Sequence, residues 1–259
     1  MIELNTEMLQ SWISGLMIPL VRIMAFISIA PFFGSKSISM PIKVAMGILL
    51  TVALAPAIPK IPSIDLLSPQ GGLVIAQQMI IGLALGFVVQ IIFTAIEMSG
   101  QISGMTMGFG FATFFDHQSQ GSTAVISQFL NILAMLVFLS MDGHLMMISA
   151  LLESFYSFPV GDAVVTLDGM RVAQWGSQIF SIGLQLSLPV VATLLITNIA
   201  LGVLTRSAPQ LNIFGIGFPI TLLAGFVVIA LMLPSMTIPY RYYMEQGIEA
   251  SKAVLRLRQ

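Results

Sequence analysis

Residues 30–56, APFFGSKSISMPIKVAMGILLTVALAP, are echoed in their punctuation by residues 208–234, APQLNIFGIGFPITLLAGFVVIALMLP. Pro31, Pro41, Gly47 and Pro56 stand at spacings of 10, 6 and 9, and Pro209, Pro219, Gly225 and Pro234 keep those spacings 178 positions later. Ala30, Ile38 and Ile42 also meet the identical residue at that offset. Both copies lie in apolar sequence, where a helix breaker frees backbone groups that lipid cannot hydrogen-bond. Helix breaks at Pro31, Pro41, Pro209 and Pro219 are tolerated only where other helices, side chains or water take over those bonds, so the chain is expected to pack against protein. Two readings of the repeat stand open: a pair of related hairpins, or coincidence in Pro-rich apolar sequence.

Outward from these two stretches the chain stays apolar. Of 259 residues, 57% are hydrophobic and 8% charged, roughly a third of the charged share of a soluble domain. No charge occurs in residues 23–35, 44–59, 66–96, 118–141, 172–205 or 207–240, and a membrane-spanning helix needs about 20 predominantly apolar residues. The pattern predicts an all-α membrane protein with five or six hydrophobic, Pro/Gly-broken helices arranged as hairpins. Predicted helices run over about 9–34, 40–58, 73–98, 122–152, 172–205 and 212–238, with a tail helix over about 243–257. One domain over 1–259 is expected, a hydrophobic body over about 9–240 followed by the amphipathic tail.

Several classes of function are disfavoured by composition. A net charge of −1 leaves no basic footprint for nucleic acid. The absence of cysteine removes disulfides, thiolate catalysis and Cys-ligated metal. Met1 to Glu7 carries Glu3 and Glu7 and no Lys or Arg, so no cleaved secretory leader is expected. Trp12, Trp175, Tyr240, Tyr242 and Tyr243 fall at segment ends and predict an aromatic belt on one side. Arg241, Lys252, Arg256 and Arg258 favour a cytoplasmic C-terminus. The tail places Glu245, Glu249, Lys252 and Arg256 on one stripe and Met244, Ile248 and Leu255 on another, the layout of a helix lying on a surface.

Chemistry-bearing residues are sparse. The two histidines each lie near an aspartate, Asp116 beside His117 and Asp142 before His144. A hydrolase would pair one couple with a serine such as Ser119 or Ser122, but no nucleophile elbow or oxyanion loop accompanies them. Two histidines without a carboxylate at helical offset make no ligand set. No catalytic residue, metal or cofactor is therefore expected, and Asp142-Gly143-His144 reads as a helix kink or hairpin end. Arg22, Glu97 and Arg206 interrupt or border apolar sequence, where a lone charge costs about 2.5–3.5 kcal/mol at mid-bilayer. Glu97 and Arg206 read as segment ends. Arg22 is expected to pair with another subunit, face an aqueous cavity or snorkel. Residues 153–171, with Glu153, Asp162, Asp168 and Arg171, read as a solvated loop.

The densest signal is EMSGQISGMTMGFGFATFFDHQSQG at 97–121. Gly100, Gly104 and Gly108 form two small-xxx-small steps, which let helix backbones approach closely. Met105, Met107, Phe109, Phe111, Phe114 and Phe115 follow, and Asp116, His117 and Gln118 end the run. Thioethers adapt to irregular gaps and rings shed water, so such a loop suits a mobile apolar stopper that closes by dewetting. Ordinary core beneath a loop is the alternative reading.

MGFGFATFFDHQ at 107–118, LVFLSMDGHLMMISALLESFYSFPVG at 136–161 and LTRSAPQLNIFGIGFPI at 204–220 together resemble the FliR/SctT family of type III secretion export-gate proteins. The wording FATFFD and APQLNIFGIGFP leans toward its flagellar branch, with the virulence-secretion branch as the alternative; His117 departs from a proline expected there in some relatives. The resemblance implies a non-enzymatic gate subunit in the bacterial inner membrane, at the flagellar basal body, raised toward the periplasm. It implies a helical ring with FliP and FliQ, contact with FlhB at the cytoplasmic mouth, and a pore for unfolded export substrates. It also implies that Met105 through Gln118 plug that pore, with Phe109, Phe111, Phe114 and Phe115 as the apolar body. A small-solute or ion transporter built from broken repeats is the principal rival.

Overall fold

A computed structural model of the chain describes residues 6–35, 37–66, 68–110, 124–161, 169–208 and 216–254. The helices are α1 (Thr6–Ile29), α2 (Met40–Leu54) with a 3-10 turn at Ala55–Ala57, α3 (Pro69–Thr106), α4 (Ala124–Ser140), α5 (Gly143–Ser157), α6 (Gly169–Gly176), α7 (Gln178–Ser207) and α8 (Phe218–Val254). No strand occurs among the described residues. Four helical stretches are long and apolar enough to cross a membrane: α2 with its 3-10 turn, α3, α7 with the end of α6, and α8. A fifth arises if α4 and α5 count as one broken span, and α1 adds the shorter apolar run Ile13–Ile29. The all-α membrane class with five or six hydrophobic helices is thus what the chain adopts.

Pro41 and Pro219, read as helix breaks, mark helix starts instead. Pro41 occupies the first turn of α2, Pro69 opens α3 and Pro219 is the second residue of α8; the missing N–H costs nothing there because first-turn donors have no intrahelical acceptor. Pro31 lies just beyond the end of α1, where Phe32 takes φ 71° and Lys43 Nζ donates to the Gly34 carbonyl at 3.0 Å. Pro209 lies outside the described residues.

Helix boundaries repeat at the same offset as the sequence. α1 ends at Ile29 and α7 at Ser207, and α2 begins at Met40 and α8 at Phe218, both separated by 178. Burial repeats as well: Gly47 and Thr51 are buried in α2 as Gly225 and Ile229 are in α8, while Ile42, Ile48, Leu49 and Val52 are exposed like Ile220, Phe226, Val227 and Ala230. Chance in Pro-rich sequence accounts for shared letters but not for shared helix ends and shared faces, so the hairpins are related. They diverge at the end. Pro56 lies in the 3-10 turn that closes α2, whereas Pro234 is carried inside α8, where Ser235 and Thr237 hydroxyls donate to the Met232 and Pro234 carbonyls.

The chain forms two compact units, each assembled from separate segments. One comprises residues 1–91, 142–176 and 244–259, the other 92–141 and 177–243. In the first, Ile18, Phe26 and Ile27 of α1, Ile81 and Leu85 of α3, Leu151 and Phe155 of α5 and Ile248 of α8 are buried. Gly82 and Gly86 let α3 approach the α1 backbone at Arg22 and Phe26. In the second, α4 buries Ile126, Leu130, Ala134 and Phe138 along one stripe, and Phe93 meets Phe138 edge to face at 5.4 Å.

Three expectations are corrected by this packing. Residues 122–152 do not form one helix, because Asp142 takes φ 56° between α4 and α5, a left-handed conformation that Asp adopts more readily than most residues. The polar stretch from 153 begins inside α5, which continues to Ser157. Among the described residues the tail is not a separate helix: α8 runs unbroken to Val254, and Met244 and Ile248 are buried in the first unit instead of lying on a surface, while Leu255 and Arg256 lie outside the described residues. The apolar stripe was visible in sequence, but not what covers it.

Of the residues read as an aromatic belt, Tyr242 is 55% exposed and the side chain of Trp12 lies outside the described residues, while the other three are engaged by protein. Tyr240 is 1% exposed, Trp175 Nε1 donates to the Val88 carbonyl at 3.0 Å, and the Tyr243 hydroxyl donates to Gln185 Oε1 at 2.6 Å. These polar tips are occupied by protein.

Lys252 of α8 pairs with Glu153 of α5 at 3.0 Å, both side chains well exposed. An exposed pair contributes at most about 1 kcal/mol. Lys252→Ala is expected to move the thermal unfolding midpoint of the detergent-solubilised protein by less than the scatter among replicates, and a large drop would show the pair to be stronger than its exposure allows.

Candidate functional site

The C-terminal part of α3 leads into the glycine-rich loop, and its sequence explains both how it packs and where it stops. Ser99 and Ser103 hydroxyls donate to carbonyls one turn back, Ile96 and Ser99, so their polarity is satisfied within the helix. Gly100 lies against the backbone of Ser127 in α4, where a Cβ would overlap Ser127 Cα. Gly104 is buried on the same helix. Gly108 takes φ 97°, which L side chains rarely adopt, and α3 ends just before it at Thr106.

Beyond that turn the described backbone continues through Phe109 and Gly110. Met107 is fully buried, its side chain against Gly225 of α8. The Thr221 hydroxyl, which donates to the Phe218 carbonyl at 3.0 Å, also lies 3.4 Å from the Met107 carbonyl, and the Phe109 ring meets Phe226 edge to face at 6.2 Å. Met105, one turn back on α3, is 58% exposed. Phe111, Phe114, Phe115, Asp116, His117 and Gln118 lie outside the described residues. Three of the nine residues read as the plug are therefore placed, and two of these, Met107 and Phe109, are held by α8.

Arg22 meets none of its three expected fates. It is fully buried within the first unit, and no carboxylate among the described residues pairs with it. Nε donates to Gln78 Oε1 at 2.7 Å, Nη1 to the Ser154 carbonyl at 2.7 Å and hydroxyl at 3.1 Å, and Nη2 to the Phe158 carbonyl at 3.0 Å. The guanidinium carbon stands 4.1 Å from the centre of the Phe155 ring. Ser154 and Phe158 supply carbonyls from the end of α5, where the helix dipole is negative; the Ser154 carbonyl also accepts the Phe158 N–H at 3.0 Å. A planar five-donor fork meets that geometry as an ammonium could not.

Glu97, read from sequence as a segment end, lies inside α3 with its side chain exposed. Arg206 does fall in the last turn of α7. Asp142 starts α5 without a side-chain cap bond. His144 Nδ1 is buried with no hydrogen-bond partner among the described residues, so this couple lacks the oriented imidazole that a hydrolytic triad requires. Ser119, Ser122, Asp116 and His117 lie outside the described residues. No group of three or more potential metal ligands occurs among the described residues.

The sequence model of one family, described as bacterial export proteins, family 1, matches residues 13–247. The chain belongs to that family. Among curated relatives of this export family, the flagellar biosynthetic protein FliR of Pectobacterium carotovorum subsp. carotovorum is 42% identical over 235 residues, 90% of each chain. The protein of the same name from Escherichia coli strain K12 is 38% identical over 235 residues, again 90% of each chain. The one from Bacillus subtilis strain 168 is 27% identical over 241 residues, 92% of this chain and 93% of the relative.

For this export-family member, sequence reading missed the partners of both sites. Gly225 stands out in sequence only as part of the repeat, and nothing marks Thr221 or Phe226, because the α8 start lies 114 residues from Met107 along the chain. A usable signal existed: Gly225 keeps its place in the repeat while Met24, which faces Gly47 in the first copy, has no methionine counterpart at the same offset.

Proposed function

We propose that this chain is a non-enzymatic subunit of the flagellar type III protein export gate and that residues 105–118 form an apolar plug in its pore. The flagellar names of the relatives support the system, and the anchored loop base carries the plug: Met107 is buried and Phe109 is stacked at the point where the Phe-rich segment leaves α3. A stopper must be fixed at its base and apolar in its body, because fixation gives a defined closed position and apolar rings exclude water and ions. The unfolded export substrate displaces the plug by offering replacement contacts to its surroundings. The virulence-secretion and small-solute transporter readings gain nothing from the named relatives or from the sparse charges.

The subunit assembles with FliP and FliQ in a ring and meets FlhB at the cytoplasmic mouth, in the inner membrane at the flagellar basal body. Support comes from the outer faces of α2 and α8, where Leu49, Val52, Leu223 and Leu231 are exposed; such faces need lipid or protein cover. Purification in mild detergent is expected to recover a large multi-subunit particle, and a lone monomer would favour a transporter.

Deleting residues 109–118 while keeping Met107 and Gly108 is expected to raise ion leakage across the membrane of cells that still assemble the gate. Unchanged leakage with normal assembly would remove the plug from the mechanism.

A further inference from the structure

The two related hairpins differ at one seat. In the first, the side chain of Met24 on α1 occupies the space where a Gly47 Cβ would stand; in the second, the space at Gly225 is occupied by Met107. Offset by 178, the position of Met24 corresponds to Gly202, which carries no side chain and has open space where its Cβ would be. The second hairpin therefore supplies nothing of its own to the notch, and the notch is filled from the base of the glycine-rich loop.

That filling is reversible in kind. Methionine is unbranched and slides along a groove without the Cβ collisions of Ile or Val. A glycine floor makes the seat as deep as the helix backbone permits. Gly108, next in sequence, has the conformational range to swing whatever follows it. The Phe109–Phe226 ring contact engages the same stretch of α8, so one local displacement breaks both contacts together.

We infer that Met107 in the Gly225 notch is a latch: seated, it holds the loop base in the closed position, and opening of the pore withdraws it. This rests on the plug reading above. A two-state seat of this kind biases the closed population only by the contacts it gains there.

The test is a reversible lock. Cysteine is absent from the natural sequence, so Met107→Cys with Gly225→Cys offers a single pair, and the proximity of the Met107 Cγ to the Gly225 Cβ position suits a disulfide. In assembled gates, oxidation is expected to join the pair and stop export of flagellar substrates, and reduction to restore it. Separately, Met107→Ala, which empties the seat and leaves the loop whole, is expected to raise ion leakage roughly tenfold through the shifted open population. A joined pair that exports at the reduced rate overturns the latch, as does a pair that oxidant fails to join. If the 109–118 deletion leaks but the joined pair still exports, the plug stands and the latch falls; if the deletion does not leak, the plug itself falls.

Discussion

Replacing Arg22 by Met is expected to lower the stability of the folded protein by about 2–5 kcal/mol, because it leaves buried neutral acceptors without their donor. Gln78 Oε1 and the Phe158 carbonyl lose their bonds together, the Ser154 carbonyl keeps only the Phe158 N–H, and Phe155 loses the cation over its ring. Arg22→Lys is expected to recover only part of the loss, since one ammonium on a flexible stem cannot reach acceptors on α3 and at two places near the end of α5 in the same plane. Thermal unfolding of the detergent-purified gate, and the amount of chain retained in membranes, measure it. A midpoint equal to that of the natural protein would mean that water replaces the guanidinium, and that the site is wetter than its complete burial indicates.

Gly100→Val is the second substitution with a large expected effect. A Cβ there overlaps the Ser127 backbone, and helix backbones cannot yield as a flexible side-chain tip does. Overpacking of this sort costs about 1–3 kcal/mol and displaces the partner helix. The expected result is loss of the chain from assembled gates with little change in its synthesis, read by co-purification. Gly72→Ala, on the same helix with open space around its Cβ position, is the matched control and is expected to assemble normally. Equal recovery of both variants would show that α3 and α4 do not need this approach.

The two results differ in how far sequence anticipates them. Gly100 was legible because small-xxx-small spacing names a surface whatever lies across it. Arg22 was legible as an anomaly only. Its acceptors lie 56, 132 and 136 residues away, and two are carbonyls, which every residue has and no pattern marks. Glu97 escapes sequence reading for the opposite reason: a charge in apolar sequence suggests a segment end, yet a glutamate on an exposed face interrupts nothing in α3. The tail failed on a third ground, since an amphipathic stripe reports that cover exists but is silent on whether lipid or Phe155-bearing core provides it. The repeat was the strongest sequence signal of fold, because proline constrains the backbone directly and so transmits helix starts at 40 and 218 with little interference from packing.

α3 has 38 residues and α8 has 37, so each follows about 55 Å of helix axis. The oily slab of a bilayer is only about 30 Å thick. Over much of α3 there is no run of charges to greet water at either rim; Glu97 is its sole ionisable side chain. The excess of α8 carries Arg241, Glu245, Glu249 and Lys252, but that of α3 has no such charges, so its surplus must be sheathed by something other than acyl chains. A nanodisc of ordinary thickness should therefore prove a poor home for this polypeptide by itself, however well it suits helices half as long.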